Sequence, residues 1–155
     1  ELVGYGSNTD GMHVTQPNRA TMAECMRLSL ADAALQADAI HYINGHGTAT
    51  EQGDIAESQA TMEVMGTNIP ISSLKGYFGH TLGACGAIEA MLAITMMQQQ
   101  TFIGNLNLDQ VDTACAPLNY IQGQAQHLQA AYIMSNNFAF GGINTSLIFR
   151  NVQTH

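Results

Sequence analysis

Apolar residues recur along this chain at two spacings, and the change from one to the other marks out its elements. Residues 1–9, Glu-Leu-Val-Gly-Tyr-Gly-Ser-Asn-Thr, read as a strand running into a polar loop over residues 10–17 that carries Gly11 and Pro17. Across residues 19–35, Met22, Cys25, Met26, Ser29 and Ala33 fall at helical spacing. Residues 39–44 form a short apolar strand ending at the His46 turn. A helix is predicted over residues 50–65, with Thr50 as N-cap candidate and Gly66 as stop. Residues 69–74, with Pro70 near the start, give another strand, and residues 82–99, rich in Ala, Met and Ile, a long buried helix. Residues 105–118 read as a loop, and three strands follow over residues 118–122, 130–136 and 144–150. The early alternation of strand and helix predicts a parallel or mixed sheet covered by helices. The chain has no internal repeat and no low-complexity tract.

Composition narrows the classes of function. A chain of 155 residues is one domain's worth and buries roughly 68–70% of its unfolded surface. Only 10% of residues are charged while 46% are apolar, which predicts a surface covered in part by a second domain or subunit. The net charge is −8, and Arg19, Arg27, Lys75 and Arg150 are the only cations, so nucleic-acid binding is not expected. No apolar run approaches the roughly 18 residues of a membrane span. The chain opens on Glu1 and reads at once as structure, without a signal peptide, as a fragment or a processed chain would. Cys25, Cys85 and Cys115 lack metal-ligand spacing and read as reduced thiols of a cytoplasmic protein.

Three segments carry candidate chemistry. One is Asn44-Gly45-His46-Gly47-Thr48-Ala49-Thr50. The second holds the single lysine: Lys75-Gly76-Tyr77-Phe78-Gly79-His80-Thr81-Leu82-Gly83-Ala84, with Glu89 shortly after. The third is Asn136-Asn137-Phe138-Ala139-Phe140-Gly141-Gly142-Ile143-Asn144. Both histidine turns follow strands, where α/β proteins place their sites. Glycine lets backbone approach a ligand, and a neutral imidazole can donate to a developing oxyanion. Taken by residue type alone, the structural reading is the stronger one. A lone His after a strand more often serves structure, Phe138 and Phe140 would fill a core, and Thr48 and Thr50 would be turn and cap residues. Asp54 and Glu57, one helical turn apart, suggest paired carboxylates. His13, His41, His127 and His155 belong to no motif and are expected at the surface or the termini.

Together, the order and spacing of these segments resemble those of β-ketoacyl-ACP synthases, the condensing enzymes of the thiolase-like superfamily. The match is nearest to the type I fatty-acid enzyme and its relatives in polyene and polyketide pathways. His46 to Thr50 match a His-Gly-Thr-x-Thr turn, Lys75 to Ala84 match Lys-x-x-x-Gly-His-x-x-Gly-Ala, and the third segment matches Asn-x-Phe-Gly-Phe-Gly-Gly-x-Asn. The opening strand also fits, so the resemblance covers essentially the whole chain. It implies an α/β fold, the C-terminal half of a five-layer αβαβα architecture, with residues 1–155 as the C-terminal domain and a mixed five-stranded sheet covered by helices. It places the nucleophilic cysteine in an N-terminal half outside this chain, without which the chain would be inactive.

The implied reaction is a decarboxylative Claisen condensation of malonyl-ACP with an acyl thioester. His46 and His80 would donate to the enolate oxygen, Lys75 would favour neutral His80 by its charge, and Glu89 would be the partner of Lys75. The N–H of Phe140 would serve a second oxyanion hole, Phe140, Phe138 and Gly141 would form the gate, and Thr48 and Thr50 would bind pantetheine. No cofactor is expected, since the substrates ride on the phosphopantetheine of an acyl carrier protein. Catalysis needs no metal, but Asn44, Glu89, Ser135 and Asn136 match positions that hold a structural cation in some members. The partners implied are the N-terminal half, on the same or a separate chain, the carrier protein, and a homo- or heterodimer mate. Carrier proteins are acidic, as this chain is, so their docking patch should come mostly from the other half or the mate.

The cysteines and the departures from the pattern complete the reading. Asp112-Thr113-Ala114-Cys115-Ala116 looks like the stretch around the family nucleophile, but Cys115 follows both histidines whereas the nucleophile precedes them. Cys85, where the family has a small residue, is read as packing, and Cys25 as core. Asp54 and Glu57 are expected to serve packing and salt links. Ala49 replaces a glycine or serine and is expected to be harmless. Tyr77-Phe78 replace smaller residues and are expected to reshape the entrance or the acyl pocket, and Ala139 replaces a glycine and should stiffen the gate slightly. Two other classes compete with the enzyme. A chain-length-factor-like partner subunit tends to lose the catalytic residues present here, and a free-standing pantetheine- or acyl-binding module would need this half to be stable alone.

Overall fold

The protein, seen in a computed structural model, is described over residues 1–11 and 16–152, and His13 and His155 lie outside the described residues. Strand β1 (Leu2–Thr9) carries two glycines on the face beneath helix α1 (Arg19–Asp32). A Cβ at Gly6 would stand 2.3 Å from the Cys25 carbonyl oxygen and one at Gly4 2.5 Å from that of Ser29, so α1 rests directly on the bare strand. Asn18 caps α1, its side-chain oxygen accepting from the Ala20 N–H at 2.9 Å. The helix ends at Asp32, three residues before the sequence predicts, in a turn where Ala34 takes φ +53.

Strand β2 (Tyr42–Asn44) is buried throughout and shorter than expected, because Ala37–Ala39 form a 3-10 turn. Helix α2 (Glu51–Met65) stops at Gly66, φ +75, as predicted. Thr50 stands at the N-cap position but makes no side-chain capping bond; its hydroxyl pairs with that of Thr48 at 3.0 Å. Strand β3 (Pro70–Ser72) leads to a short helix α3 (Lys75–Phe78) that the hydrophobic pattern does not reveal. Helix α4 (Cys85–Gln99) begins three residues late because Leu82–Ala84 form a 3-10 turn. It buries one face only: Ala87, Met91 and Thr95 are exposed on the other, which no described element covers. Strands β4 (Thr101–Phe102) and β6 (Gln126–His127) pair in a small antiparallel ribbon absent from the sequence reading. Strands β5 (Asn119–Tyr120), β7 (Tyr132–Ala139) and β8 (Ile143–Arg150) complete the fold.

The main sheet has six strands in the order β1-β8-β7-β2-β3-β5, one more than expected, the two-residue β5 forming an edge. It is mixed: β7, β2, β3 and β5 run parallel, and β8 is antiparallel to both β7 and β1. Alternation along the strands sends Ile43, Met134 and Ile148 towards α1 and α2, where they meet Met26, Leu30 and Ala60. Their neighbours Tyr42, Ile133 and Phe149 face α4, with Ala93, Met97 and Phe102. Two helical layers thus sandwich the sheet, and the carboxyl ends of β2 and β3 open on one rim.

Candidate active site

The first histidine turn grows out of β2. Gly45 N–H donates to the Ser72 carbonyl at 3.0 Å, continuing the ladder with β3 for one residue before the chain turns. Gly47 is at φ +39, and a Cβ there would come 2.6 Å from Cβ of Ser73. The turn is then clamped by Glu57 of α2, whose two carboxylate oxygens accept the backbone N–H groups of His46 at 2.6 Å and Gly47 at 2.8 Å. Burial, opposed by those two donors, pushes the Glu57 carboxyl up to about 7. The salt link expected of Asp54 and Glu57 does not form among the described residues; Glu57 holds backbone instead.

Lys75, at the start of α3, is buried, and its ammonium lies 2.5 Å from Glu89 Oε1 and 3.3 Å from His46 Nδ1, while also donating to the His46 carbonyl. An ammonium has only protons to offer, so Nδ1 of His46 is the acceptor and the ring proton sits on Nε2. Burial, then the Lys75 charge, then His80, lower the His46 pKa to about 3, with the neighbouring Asn137 side chain opposing them. His46 is therefore neutral near pH 7. The sequence assigned the charge effect of Lys75 to His80; the structure places it on His46, because α3 turns the lysine back towards β2.

His80 is exposed, and its Nδ1 accepts the Leu82 N–H at 3.2 Å. That bond again leaves Nε2 as the donor. Leu82 holds φ +52 to make it, a left-handed conformation uncommon for a non-glycine residue. The His46 and His80 rings meet edge to face, centroids 5.4 Å apart, and Phe138 stands edge-on to His46 at 6.3 Å. Two imidazoles with matching tautomers thus stand side by side.

The third segment forms the opposite wall. Phe138 is buried at the end of β7, and Phe140–Gly142 form a 3-10 turn before β8, with Gly141 at φ +77. Phe140 is 66% exposed, and Ala139 lies in extended backbone without strain. Gly142 faces Asp10, whose N–H donates to the Gly142 carbonyl at 3.1 Å. A cleft of about 690 Å³ runs between these turns, and His46, His80, Thr48, Thr50, Phe138 and Phe140 all line it. Tyr77 and Phe78 do not: both are exposed, and Tyr77 donates to the Gly104 carbonyl at 3.0 Å. Their bulk sits away from the cleft because α3 turns that face outward.

Cys115 lies in the loop before β5, off the cleft, and Cys25 is buried under β1, its thiol pushed up to about 12 by burial. Cys85 lines the cleft and donates to Asn137 Oδ1 at 3.1 Å, a role beyond packing. Asn137 also lines the cleft; sequence reading placed it at the edge of a motif and gave it no role. His41 and His127 lie away from the site, Nδ1 of His127 meeting the Thr101 hydroxyl at 3.0 Å.

Two cation arrangements can be weighed here. His46, Cys85 and Glu89 bring three ligand types within 4.8 Å, a donor set that zinc accepts. The Lys75 ammonium already stands against both His46 and Glu89 and supplies the positive charge. The other set is oxygen-rich. Asn44 Oδ1, Glu89 Oε2 and both polar atoms of the Asn136 side chain are buried without a hydrogen-bond partner, and Asn44 Nδ2 donates to Ser135 Oγ at 3.2 Å across the β2–β7 ladder. Unpartnered buried oxygens of this kind suit a hard cation.

The chain matches the family model described as "Beta-ketoacyl synthase, C-terminal domain" over residues 1–109, and it belongs to the β-ketoacyl synthase family. It is 33% identical to 3-oxoacyl-[acyl-carrier-protein] synthase 2 of Coxiella burnetii, an alignment covering 98% of this chain and 38% of that protein. The crystal structure of a β-ketoacyl synthase from Burkholderia phymatum superposes with a TM-score of 0.97 at 60% identity, over 98% of this chain and 37% of that one. A ketosynthase from Xenorhabdus doucetiae, solved in complex with its chain length factor, gives a TM-score of 0.89 at 36% identity, over 97% and 39% of the two chains. The chain thus spans well under half the length of these relatives. The thiolase-like α/β fold implied by the sequence is the fold observed. No described helix is long and apolar enough to cross a membrane.

Proposed function

We propose that this chain supplies the His/His/Lys part of a ketosynthase site that condenses malonyl-ACP with an acyl thioester in fatty-acid, polyene or polyketide elongation. The observation that carries the reading is the pair His46 and His80, each with Nε2 as its donor nitrogen, rings 5.4 Å apart in one cleft. The acyl group rides on a cysteine of the N-terminal half. The malonyl thioester loses carbon dioxide as its C–C bond breaks, and the electron pair becomes an enolate. Its carbon attacks the acyl carbonyl, the acyl–sulfur bond breaks, and the cysteine leaves as thiolate. The developing enolate oxygen is met by two N–H donors whose rings need not reorganise, an arrangement in which a single donor contributes on the order of 10²–10³ in rate.

The other residues prepare that geometry. Lys75 and Glu89 hold His46 as a neutral donor, and Glu57 fixes its turn. The Phe140 N–H serves the acyl carbonyl, with Phe138, Phe140 and Gly141 as the gate. The Thr48 and Thr50 hydroxyls hydrogen-bond the pantetheine arm of the carrier protein, and no further cofactor takes part. A hard cation, held by Asn44, Glu89, Ser135 and Asn136, would satisfy the buried oxygens Asn44 Oδ1, Glu89 Oε2 and Asn136 Oδ1 that have no hydrogen-bond partner. The partners are the N-terminal half, the acyl carrier protein and a homo- or heterodimer mate. All four cations make ion pairs within the chain, which supports a carrier-docking patch lying elsewhere.

The test is malonyl-ACP decarboxylation with the nucleophile-bearing half present. His46→Ala and His80→Ala should each abolish carbon dioxide release, and release at the parental rate from either would remove its donor role.

A further inference from the structure

Cys85 has no part in the reading above, yet it stands beside two residues that do. It opens α4, and Glu89 follows four residues later, one helical turn on, so both side chains leave the same face of the helix. The His46 turn meets that face. His46, Cys85 and Glu89 are buried, at 7%, 6% and 0% exposure, and their ligand atoms lie within 4.8 Å of one another. A tetrahedral zinc, with Zn–S of about 2.3 Å and Zn–N of about 2.0 Å, sets its ligands roughly 3.5 Å apart, so the cluster needs to close by little more than about 1 Å. Glu89 Oε2 is buried without a hydrogen-bond partner and is open to a cation. The Cys85 thiol donates to Asn137 Oδ1 at 3.1 Å. Once the thiol loses its proton, that carboxamide can turn over and donate to the thiolate, so the outer partner suits either state.

We propose that His46, Cys85 and Glu89 form an inhibitory site for a zinc-type divalent cation, which competes with the Lys75 ammonium for the cluster. At rest the ammonium lies against Glu89 Oε1 and His46 Nδ1 and takes the place of the cation. When zinc enters, the Cys85 thiol gives its proton to solvent. Bonds form from the metal to sulfur, imidazole and carboxylate, and the ammonium turns away from Glu89. Two positive charges then face a thiolate and a carboxylate, so the cluster stays as neutral as it was with ammonium against carboxylate, which buried charges require. Glu89 is common to this set and to the oxygen-rich one, and the Cys85 sulfur tells them apart: zinc takes thiolate and imidazole, whereas a hard cation takes oxygen. A metal on the His46 ring removes the geometry in which Nε2–H meets the enolate. That consequence rests on the proposed donor role of His46; the metal binding itself does not.

The test uses the complete ketosynthase with the nucleophilic cysteine of its other half replaced by serine, so that this thiol does not compete for metal. Co²⁺ is the first probe, because it takes zinc's tetrahedral position and reports thiolate ligation by a sulfur-to-cobalt charge-transfer band in the near ultraviolet. One equivalent of Co²⁺ per chain should give that band, Zn²⁺ should abolish it by displacement, and Mg²⁺ or Ca²⁺ should leave it unchanged. In Cys85→Ala, and in Cys85→Ser as the more conservative replacement, the band should vanish. Zn²⁺ affinity by equilibrium dialysis should fall by about a hundredfold or more, since losing even an outer-shell partner costs about 10–100-fold. The second reading is malonyl-ACP decarboxylation by the same proteins, each relative to its own metal-free rate. Zn²⁺ should inhibit the protein that keeps Cys85, a chelator should restore it, and the Cys85 variants should resist. The absence of the band, or the same band and Zn²⁺ affinity in Cys85→Ala, overturns the site. Zinc held through Cys85 with decarboxylation undiminished overturns the inhibition and counts against the donor role of His46, while the band keeps that failure apart from the first.

Discussion

The Glu57 carboxylate accepts the His46 backbone N–H at 2.6 Å, and the two side chains are displaced from their ordinary pKa values in opposite directions. Glu57 rises from 4.5 to about 7, so it favours the folded state fully below pH 4.5, and that contribution is lost as pH rises through 7. His46 falls from 6.5 to about 3, so its contribution is full above pH 6.5 and is lost as pH falls through 3. Between pH 4.5 and 6.5 the two slopes oppose each other. Glu57→Gln should therefore unmask the histidine, giving stability that rises with pH across this window. It should also remove a decline of roughly 3 kcal/mol between acid and neutral pH. Denaturant midpoints taken at half-unit steps would show it, and a variant with the parental pH slope would contradict the assignment to Glu57.

Much of this site is legible in the sequence because glycine and histidine leave local marks. Gly66 ends α2 where the pattern predicts, and His46 follows its strand as expected. What sequence could not supply is the direction in which each side chain turns. Lys75 precedes His80 by five residues yet bonds His46, because the short α3 reverses its side chain, and four residues give too little periodicity to reveal that helix. Glu57 looked like one half of a carboxylate pair; only the packing of α2 beneath the turn shows it to be a clamp on backbone. Cys85 and Asn137 are 52 residues apart, and nothing in either motif announces their contact. The β4–β6 ribbon is two residues on each side, below the length at which alternation can be read.

Lys75 and Glu89 form a buried ion pair at 2.5 Å, with Lys75 also placed against His46. Removing one partner leaves a buried charge uncompensated. Lys75→Met should cost about 3–5 kcal/mol of stability, and the double variant Lys75→Met with Glu89→Leu should recover a large part of it. Chemical denaturation of both variants measures the difference. A double variant no more stable than the single one would show that Glu89 is not the buried charge left behind.

Ala49 sits at φ +58, inside the turn between His46 and α2. The sequence reading took alanine there as harmless, but the left-handed region costs an L-residue with a Cβ roughly 1–2 kcal/mol. Glycine removes that cost and gives part of it back as unfolded-state entropy. Ala49→Gly should stabilise the protein by about 0.5 kcal/mol, read as a higher denaturation midpoint with unchanged slope. A lower midpoint would mean that the methyl group makes a packing contact outweighing its strain.

Gly141 and Gly142 occupy one turn, both at positive φ, yet alanine should affect them very differently. At Gly141 nothing stands within 4 Å of a would-be Cβ, so the substitution meets only the conformational cost of about 1–2 kcal/mol. At Gly142 the same atom would lie 2.1 Å from Asp10 Oδ1 and 2.2 Å from its Cγ, an overlap with the body of a side chain whose backbone N–H is bonded to the Gly142 carbonyl. The turn must move, and Phe140 with it. On the proposed mechanism the Phe140 N–H serves acyl transfer, whereas decarboxylation rests on His46 and His80, held by other turns. Gly142→Ala should therefore depress acyl loading by tenfold or more, about the weight of a displaced oxyanion donor, while carbon dioxide release from malonyl-ACP falls far less. Equal losses in both half-reactions would mean that the third segment supports the whole cleft rather than the acyl side alone.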